Sequence, residues 1–224
     1  MCRWFANIGE EPILLEDVLI KPKHSVAKQI DVHFLPNLHV TYDPHLHQRT
    51  LSSGGYYTGV ATEFNDDKVN RPCVYKNVRP PLNDFNLISL CAHTSSKCVF
   101  AHIRAATSLS SAVETNNHPF VFGRHLFMHN GMIPNFLKIK VALLQKLSEK
   151  VSTNIFGTTD TEHVAALFFT HLGNDWDAEL PIETLNKTMI KTLQDVISLI
   201  QETTKDNNET LLHSSLNFVV TDSC

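Results

Sequence analysis

Residues 1–11, MCRWFANIGEE, put a cysteine second in the chain and follow it with an apolar run, 3–9, that reads as a short buried strand. Initiator methionine is removed efficiently when the next residue is small, so the mature chain can begin at Cys2. A first-residue cysteine carries a thiol nucleophile and a free α-amine that can act as its base. Cys2 can equally be an ordinary cysteine near a terminus, and only the rest of the chain separates the two readings. Outward from this strand, 97–103 (KCVFAHI), 125–130 (HLFMHN) and 216–222 (LNFVVTD) are mostly apolar and bounded by turn formers, so they also read as buried strands.

Three helices are expected between and after them. In 134–151, Leu137, Val141, Leu144 and Val151 fall on one face behind Pro134 and Asn135, and this face is read as core. In 158–172, Thr159 and Glu162 form a capping-box pattern that puts Asp160 in the first turn of a helix. Over 182–203, Ile182, Leu185, Met189, Leu193, Val196 and Ile200 recur at helical spacing as a further core stripe. Residues 65–86, with three prolines among charges, read as an irregular surface segment. The strand 216–222 is expected to be buried on both sides and to need neighbours, so the fold is expected to be cut short at its C-terminus.

A chain of 224 residues with 42% hydrophobic content supports one core and one domain. With 19 Lys+Arg against 23 Asp+Glu and no basic stretch interleaved with aromatics, a nucleic-acid partner is not expected. Five cysteines without CxxC spacing argue against a disulfide framework and a cysteine zinc site, which suits a reducing, cytoplasmic setting. The run 12–20, PILLEDVLI, is broken by Glu16 and Asp17, so neither a signal segment nor a membrane span is expected there. His45 and His47 form a lone HxH without a third ligand at a readable spacing, so no metal is expected.

Four stretches carry more polar detail than packing requires: AHIRAATSL (101–109), ETNNHPFVFGR (114–124), FMHNGMI (127–133) and GTTDTEH (157–163). Each has a structural reading beside the chemical one. Arg104 suits a surface salt bridge, Asn130-Gly131 a tight turn, Asp160 a helix dipole, and His118 a hydrogen-bonded loop histidine.

Taken together and in order, the N-terminal Cys, HIRxAT, NxHPF, HNG and TDTE resemble the type 2 glutamine amidotransferases of the N-terminal nucleophile (Ntn) hydrolase group. The resemblance spans nearly the whole chain. Within that group the chain is most similar to the fungal DUG-pathway, amidotransferase-like subunit of glutathione degradation, and is also similar to the bacterial γ-glutamyl hydrolase of ergothioneine synthesis. The resemblance implies an α+β fold, a four-layer αββα sandwich, over a type 2 amidotransferase domain at 2–224. It implies no cofactor and no metal, a γ-glutamyl small-molecule substrate and a peptidase-like partner subunit.

Carried over residue by residue, it makes Cys2 the nucleophile, with an α-amine of pKa about 7.7–8.0 to take the thiol proton. Asn130 and Gly131 would hold the oxyanion, each such donor being worth about 2.7–4 kcal/mol. A substrate with a zwitterionic glutamyl end needs a fixed cation and a fixed anion: Arg104 for the α-carboxylate, in a bidentate fork, and Asp160 for the α-ammonium. Thr107 and His118 match positions lining that pocket. The activity implied is γ-glutamyl amide cleavage, with glutaminase delivery of ammonia and a non-catalytic partner subunit as alternatives. The family's Gly-rich DGxGVxWY-like strand corresponds here to 52–64, SSGGYYTGVATEF, which keeps Gly55 and Gly59 without the acidic residue and the tryptophan. The leaving-group side of the pocket is therefore unspecified, because glutamine and γ-glutamyl peptides present identical groups to the acyl side.

Overall fold

Immediately after Cys2 the chain enters β1 (Arg3–Leu14), which runs on past residue 9 through an irregularity between Ile8 and Ile13. The computed structural model describes residues 2–29, 56–62, 71–105, 112–173, 175–206 and 214–222. They fall into two compact units, one covering Met1–Pro119 with Ser223–Cys224 and the other Phe120–Asp222.

In the first unit, β1, β2 (Tyr56–Thr62), β3 (Cys73–Asn77) and β4 (Ser95–Ala105) form an antiparallel sheet in the order β1-β4-β2-β3. The alternation of a strand puts Val99, Ala101 and Ile103 of central β4 on one face. There they pack with Leu15 and Leu19 of α1 (Leu15–Leu19), with Leu87 and Cys91 of α2 (Phe85–His93), and with Val26. Asp84 caps α2, one carboxylate oxygen accepting the Leu87 N–H at 3.2 Å while the other accepts from Tyr75 Oη and Asn77 Nδ2, both at 2.8 Å.

The expectation of an irregular segment over 65–86 is corrected at 73–77 and from 85 onward. Residues 73–77 pair with β2 along the sheet's edge, and α2 begins at Phe85. An edge strand tolerates flanking prolines and charges because only one of its sides enters a ladder, and those residues masked the short CVYKN strand.

The second unit holds a three-stranded antiparallel sheet, β5 (Phe120–Phe122), β6 (His125–Met132) and β7 (Ser215–Thr221), in the order β5-β6-β7. Gly123 turns β5 into β6 at φ 60, where a Cβ would lie 2.4 Å from the Trp176 carbonyl oxygen, so only glycine fits. Four helices, α3 (Phe136–Gln145), α4 (Glu149–Ser152), α5 (Asp160–Leu172) and α6 (Ile182–Asp206), contribute to one core with Phe120, Phe122 and Phe127 of the sheet. α5 is buried from Thr161 to Phe169 and puts Phe168 and Phe169 into that core.

Two core stripes read from the sequence are corrected here. On α3 the buried residues are Ile139 and Leu143, whereas Leu137 is 68% and Val141 65% exposed and Leu144 is also exposed. Val151, on α4, is buried as expected. The segment FLKIKVALLQ offers apolar residues on more than one face, and Asn135, in the left-handed region at φ 55, sets the angle at which the helix enters. On α6, Leu185, Val196 and Ile200 are buried but Ile182 is exposed. β7 is an edge strand of the described sheet with Ser215 and Asn217 exposed, not a strand buried on both sides. Among the described residues no helix is long and apolar enough to cross a membrane.

Candidate functional site

The candidates from sequence divide between the two units, with Thr107, Gly55, His45 and His47 lying outside the described residues. In the first unit, β1 pairs with β4 in a register that sets Arg3 against Ile103 and Trp4 against His102. Cys2 immediately precedes Arg3 and Arg104 immediately follows Ile103, so both residues adjoin the last pair of this ladder.

Arg104 is only 5% exposed, so the surface salt-bridge reading of this side chain does not hold. A guanidinium is seldom withdrawn from water without a polar role. β2 supplies the other neighbours, setting Tyr57 opposite Arg104 and Gly59 opposite His102. His118 follows the short 3₁₀ turn Glu114–Asn116, precedes a cis bond to Pro119, and is buried. Its ring centroid lies 4.0 Å from that of His102. The adjacent Asn117 ties this loop to the sheet by donating from Nδ2 to the Asn77 carbonyl at 3.0 Å.

Access separates the thiols. Cys91 and Cys98 are buried, and burial pushes the Cys91 thiol up to about 12, which keeps it a protonated core side chain. Cys2 and Cys73 are half-buried. The Cys2 carbonyl accepts from Arg3 Nη1 at 3.1 Å, which fixes the backbone next to the thiol.

In the second unit, Asn130 and Gly131 belong to β6 and pair with Asn217 and Leu216 of β7, so they are strand residues and not a tight turn. Asn217 Nδ2 donates to the Asn130 carbonyl at 2.8 Å. A Cβ on Gly131 would lie 1.8 Å from the Ser215 carbonyl oxygen and 2.6 Å from His129 Nε2, so glycine is the only residue that fits. Asp160 opens α5, whose N-cap Thr159 accepts the Glu162 N–H at 3.3 Å. The Glu162 carboxylate reaches further back than a capping box requires, accepting Phe156 N–H at 2.9 Å and Gly157 N–H at 2.7 Å. Asp160 Oδ2 accepts the Ile133 N–H at 3.0 Å and Oδ1 accepts the Thr161 N–H at 2.8 Å. The strand that carries Asn130 and Gly131 thus leads directly to the Asp160 carboxylate.

Sequence reasoning passed over His102, His129 and Thr161. His129 is 2% exposed, with Nδ1 3.0 Å from Thr161 Oγ1 and Nε2 2.8 Å from the Ser215 carbonyl oxygen. Its pKa is lowered by burial, against the opposing pull of the Ser215 carbonyl and the Asp160 charge. The available signal was strand alternation, which places His129 on the same face as Phe127 and Gly131. No group of three or more His, Cys, Asp and Glu side chains among the described residues is placed to hold a metal ion.

No family model matches the chain. Over 237 residues it is 35% identical to "Probable glutamine amidotransferase DUG3" of Saccharomyces cerevisiae, an alignment that takes in 99% of this chain. Similarity to a glutamine amidotransferase thus extends over nearly the whole of this chain. The chain spans about 61% of the length of that curated relative. Among solved structures, a "glutamine aminotransferase class-II domain protein" from Silicibacter pomeroyi superposes with a TM-score of 0.60 at 21% identity, covering 98% of this chain and 72% of its own. That likeness, with the sheets and helices described above, gives this chain an α+β fold. A "predicted glutamine amidotransferase" from Pseudomonas aeruginosa gives a TM-score of 0.42 at 19% identity, covering 75% of this chain and 56% of its own.

Proposed function

We propose that this chain is a cysteine-dependent amidohydrolase that cleaves γ-glutamyl bonds, with glutathione as substrate and a peptidase-like subunit as partner. Removal of Met1 frees the α-amine of Cys2, which takes the thiol proton as Sγ attacks the γ-carbonyl carbon. The oxyanion is held by the Asn130 side-chain amide and the Gly131 N–H. The same amine returns the proton to the departing nitrogen, and water hydrolyses the resulting γ-glutamyl thioester. Arg104 takes the α-carboxylate, Asp160 takes the α-ammonium, and Thr107 and His118 line the pocket. The proposal includes the four-layer αββα arrangement, supported by the presence of two antiparallel sheets with their own helices, and a cytoplasmic setting, which five cysteines without CxxC spacing suit.

The observation that best supports this reading is the β1/β4 register, whose last pair, Arg3 with Ile103, adjoins Cys2 on one strand and the buried Arg104 on the other. A second reading, glutaminase chemistry that supplies ammonia to a synthase, is favoured by the name of the yeast relative. Incubation with glutathione and with glutamine, alone and with the peptidase partner, separates the two. Glutamate with cysteinylglycine from glutathione supports the first. Ammonia from glutamine, without glutathione turnover, supports the second.

A further inference from the structure

The ring of His129 contacts both β7 and the first turn of α5. Its Nε2 faces the Ser215 carbonyl at 2.8 Å, and a carbonyl oxygen can only accept, so Nε2 carries a proton. In a neutral ring the other nitrogen is then a bare acceptor. Nδ1 lies 3.0 Å from Thr161 Oγ1, so the threonine hydroxyl donates to it. That donation fixes the side chain of Thr161, whose own N–H donates to Asp160 Oδ1 at 2.8 Å and whose Oγ1 stands 3.4 Å from the same oxygen. With its proton committed to the imidazole, the hydroxyl does not compete for the carboxylate, and Oδ1 keeps its acceptor capacity for a ligand. The same ring packs at 4.4 Å against Phe218 and fills the space where a side chain on Gly131 would otherwise sit.

From this geometry we propose that His129 is a positioning residue: through Thr161 it holds the Asp160 carboxylate in fixed relation to the Asn130–Gly131 segment, ready for the α-ammonium of a γ-glutamyl substrate. This rests on the reading that Asp160 receives that ammonium. The cross-strand bond to Ser215, the bond to Thr161 and the ring contact with Phe218 tie β6, β7 and the first turn of α5 together. An ammonium is bound in both the ground state and the transition state, so loss of the link acts on substrate binding more than on the chemical step.

Two variants cut the link with little change of shape. Thr161→Val removes the hydroxyl, and His129→Gln keeps a donor for the Ser215 carbonyl while deleting the acceptor for Thr161. Each is expected to raise KM for glutathione by roughly tenfold with kcat within about twofold of the parent. The double variant should be no worse than either single one, because both remove the same link. Thr161→Ser, which restores the hydroxyl, should recover the parent KM. Asp160→Asn is the control for the underlying reading, and ¹⁵N imidazole spectra of the parent give a readout independent of turnover, with His129 expected neutral and protonated on Nε2. A folded Thr161→Val protein with parent KM, alongside a severely impaired Asp160→Asn, overturns the positioning role and leaves the reading of Asp160 standing. An Asp160→Asn protein with parent KM overturns the reading itself. A His129 ring protonated on Nδ1 alone overturns the positioning role whether or not turnover is detected.

Discussion

Ile133 donates its backbone N–H to Asp160 Oδ2 at 3.0 Å, so the carboxylate is anchored to the strand that bears Asn130 and Gly131. Asparagine at 160 can keep that acceptor but not the charge. Asp160→Asn is therefore expected to fold normally, to raise KM and to lower kcat/KM for γ-glutamyl substrates by roughly 2–5 kcal/mol. Arg104→Lys should be comparably severe, since a point charge does not reproduce a planar fork. Glutathione and glutamine should compete for one site, whereas N-acetylated or α-amidated analogues should not. Equal cleavage of N-acetyl-glutathione and glutathione contradicts the zwitterion clamp.

Gly131→Ala tests how tightly β6 and β7 close at the site. The added methyl would meet the Ser215 carbonyl oxygen and His129 Nε2, and both belong to the fixed part of the sheet. The strands must separate, at a cost of at least ~1–3 kcal/mol. Thermal unfolding should show a lower Tm and steady-state kinetics a lower kcat. A variant with parent Tm and kcat contradicts the described approach of the two strands.

Protons act on the second unit through its buried imidazoles. Burial lowers the pKa of His125, His129 and His163, in each case as the largest effect. In the unfolded chain these rings take up protons near the ordinary value of about 6.5, while in the folded unit they stay neutral to lower pH. In the interval between the two values the unfolded chain binds more protons, so acidification favours unfolding. Tm should hold steady above about pH 7.5 and fall as the pH drops through about 6.5. A Tm that rises between pH 7 and 5.5 contradicts this.

The packing of α3 can be tested by a pair of leucines. Leu143 is fully buried and Leu137 is mostly exposed. Leu143→Ala should cost about 2–5 kcal/mol, whereas Leu137→Ala should stay within about 0.5 kcal/mol of the parent. Chemical denaturation of the two variants measures both. Equal losses would restore the stripe that spacing alone suggests.

That stripe shows where the sequence stopped being legible. Spacing identified α3 as a helix, but FLKIKVALLQ offers both a Leu137–Val141 and an Ile139–Leu143 ridge, and the one that faces the core is set by tertiary packing, which no periodicity encodes. Strands β1, β4, β6 and β7 were readable because their apolar runs are long and end in turn formers. β3 was not, since an edge strand of five residues can be bordered by prolines and charges without losing its ladder. Asp160 was readable as a first-turn residue from Thr159 and Glu162. Its anchors were not: Ile133 N–H and the His129–Thr161 link join segments about thirty residues apart through backbone groups and a side chain that reads as part of a strand.

The account rests above all on Cys2 as an N-terminal nucleophile, and rapid-quench mass spectrometry of the N-terminal peptide after mixing with glutathione tests it most directly. The expected result is a peptide lacking Met1 that carries a γ-glutamyl group on Cys2 Sγ, absent from Cys2→Ala protein, which should also have lost turnover. Turnover by protein that retains Met1, or a γ-glutamyl adduct on Cys73 with Cys2 unmodified, would contradict it.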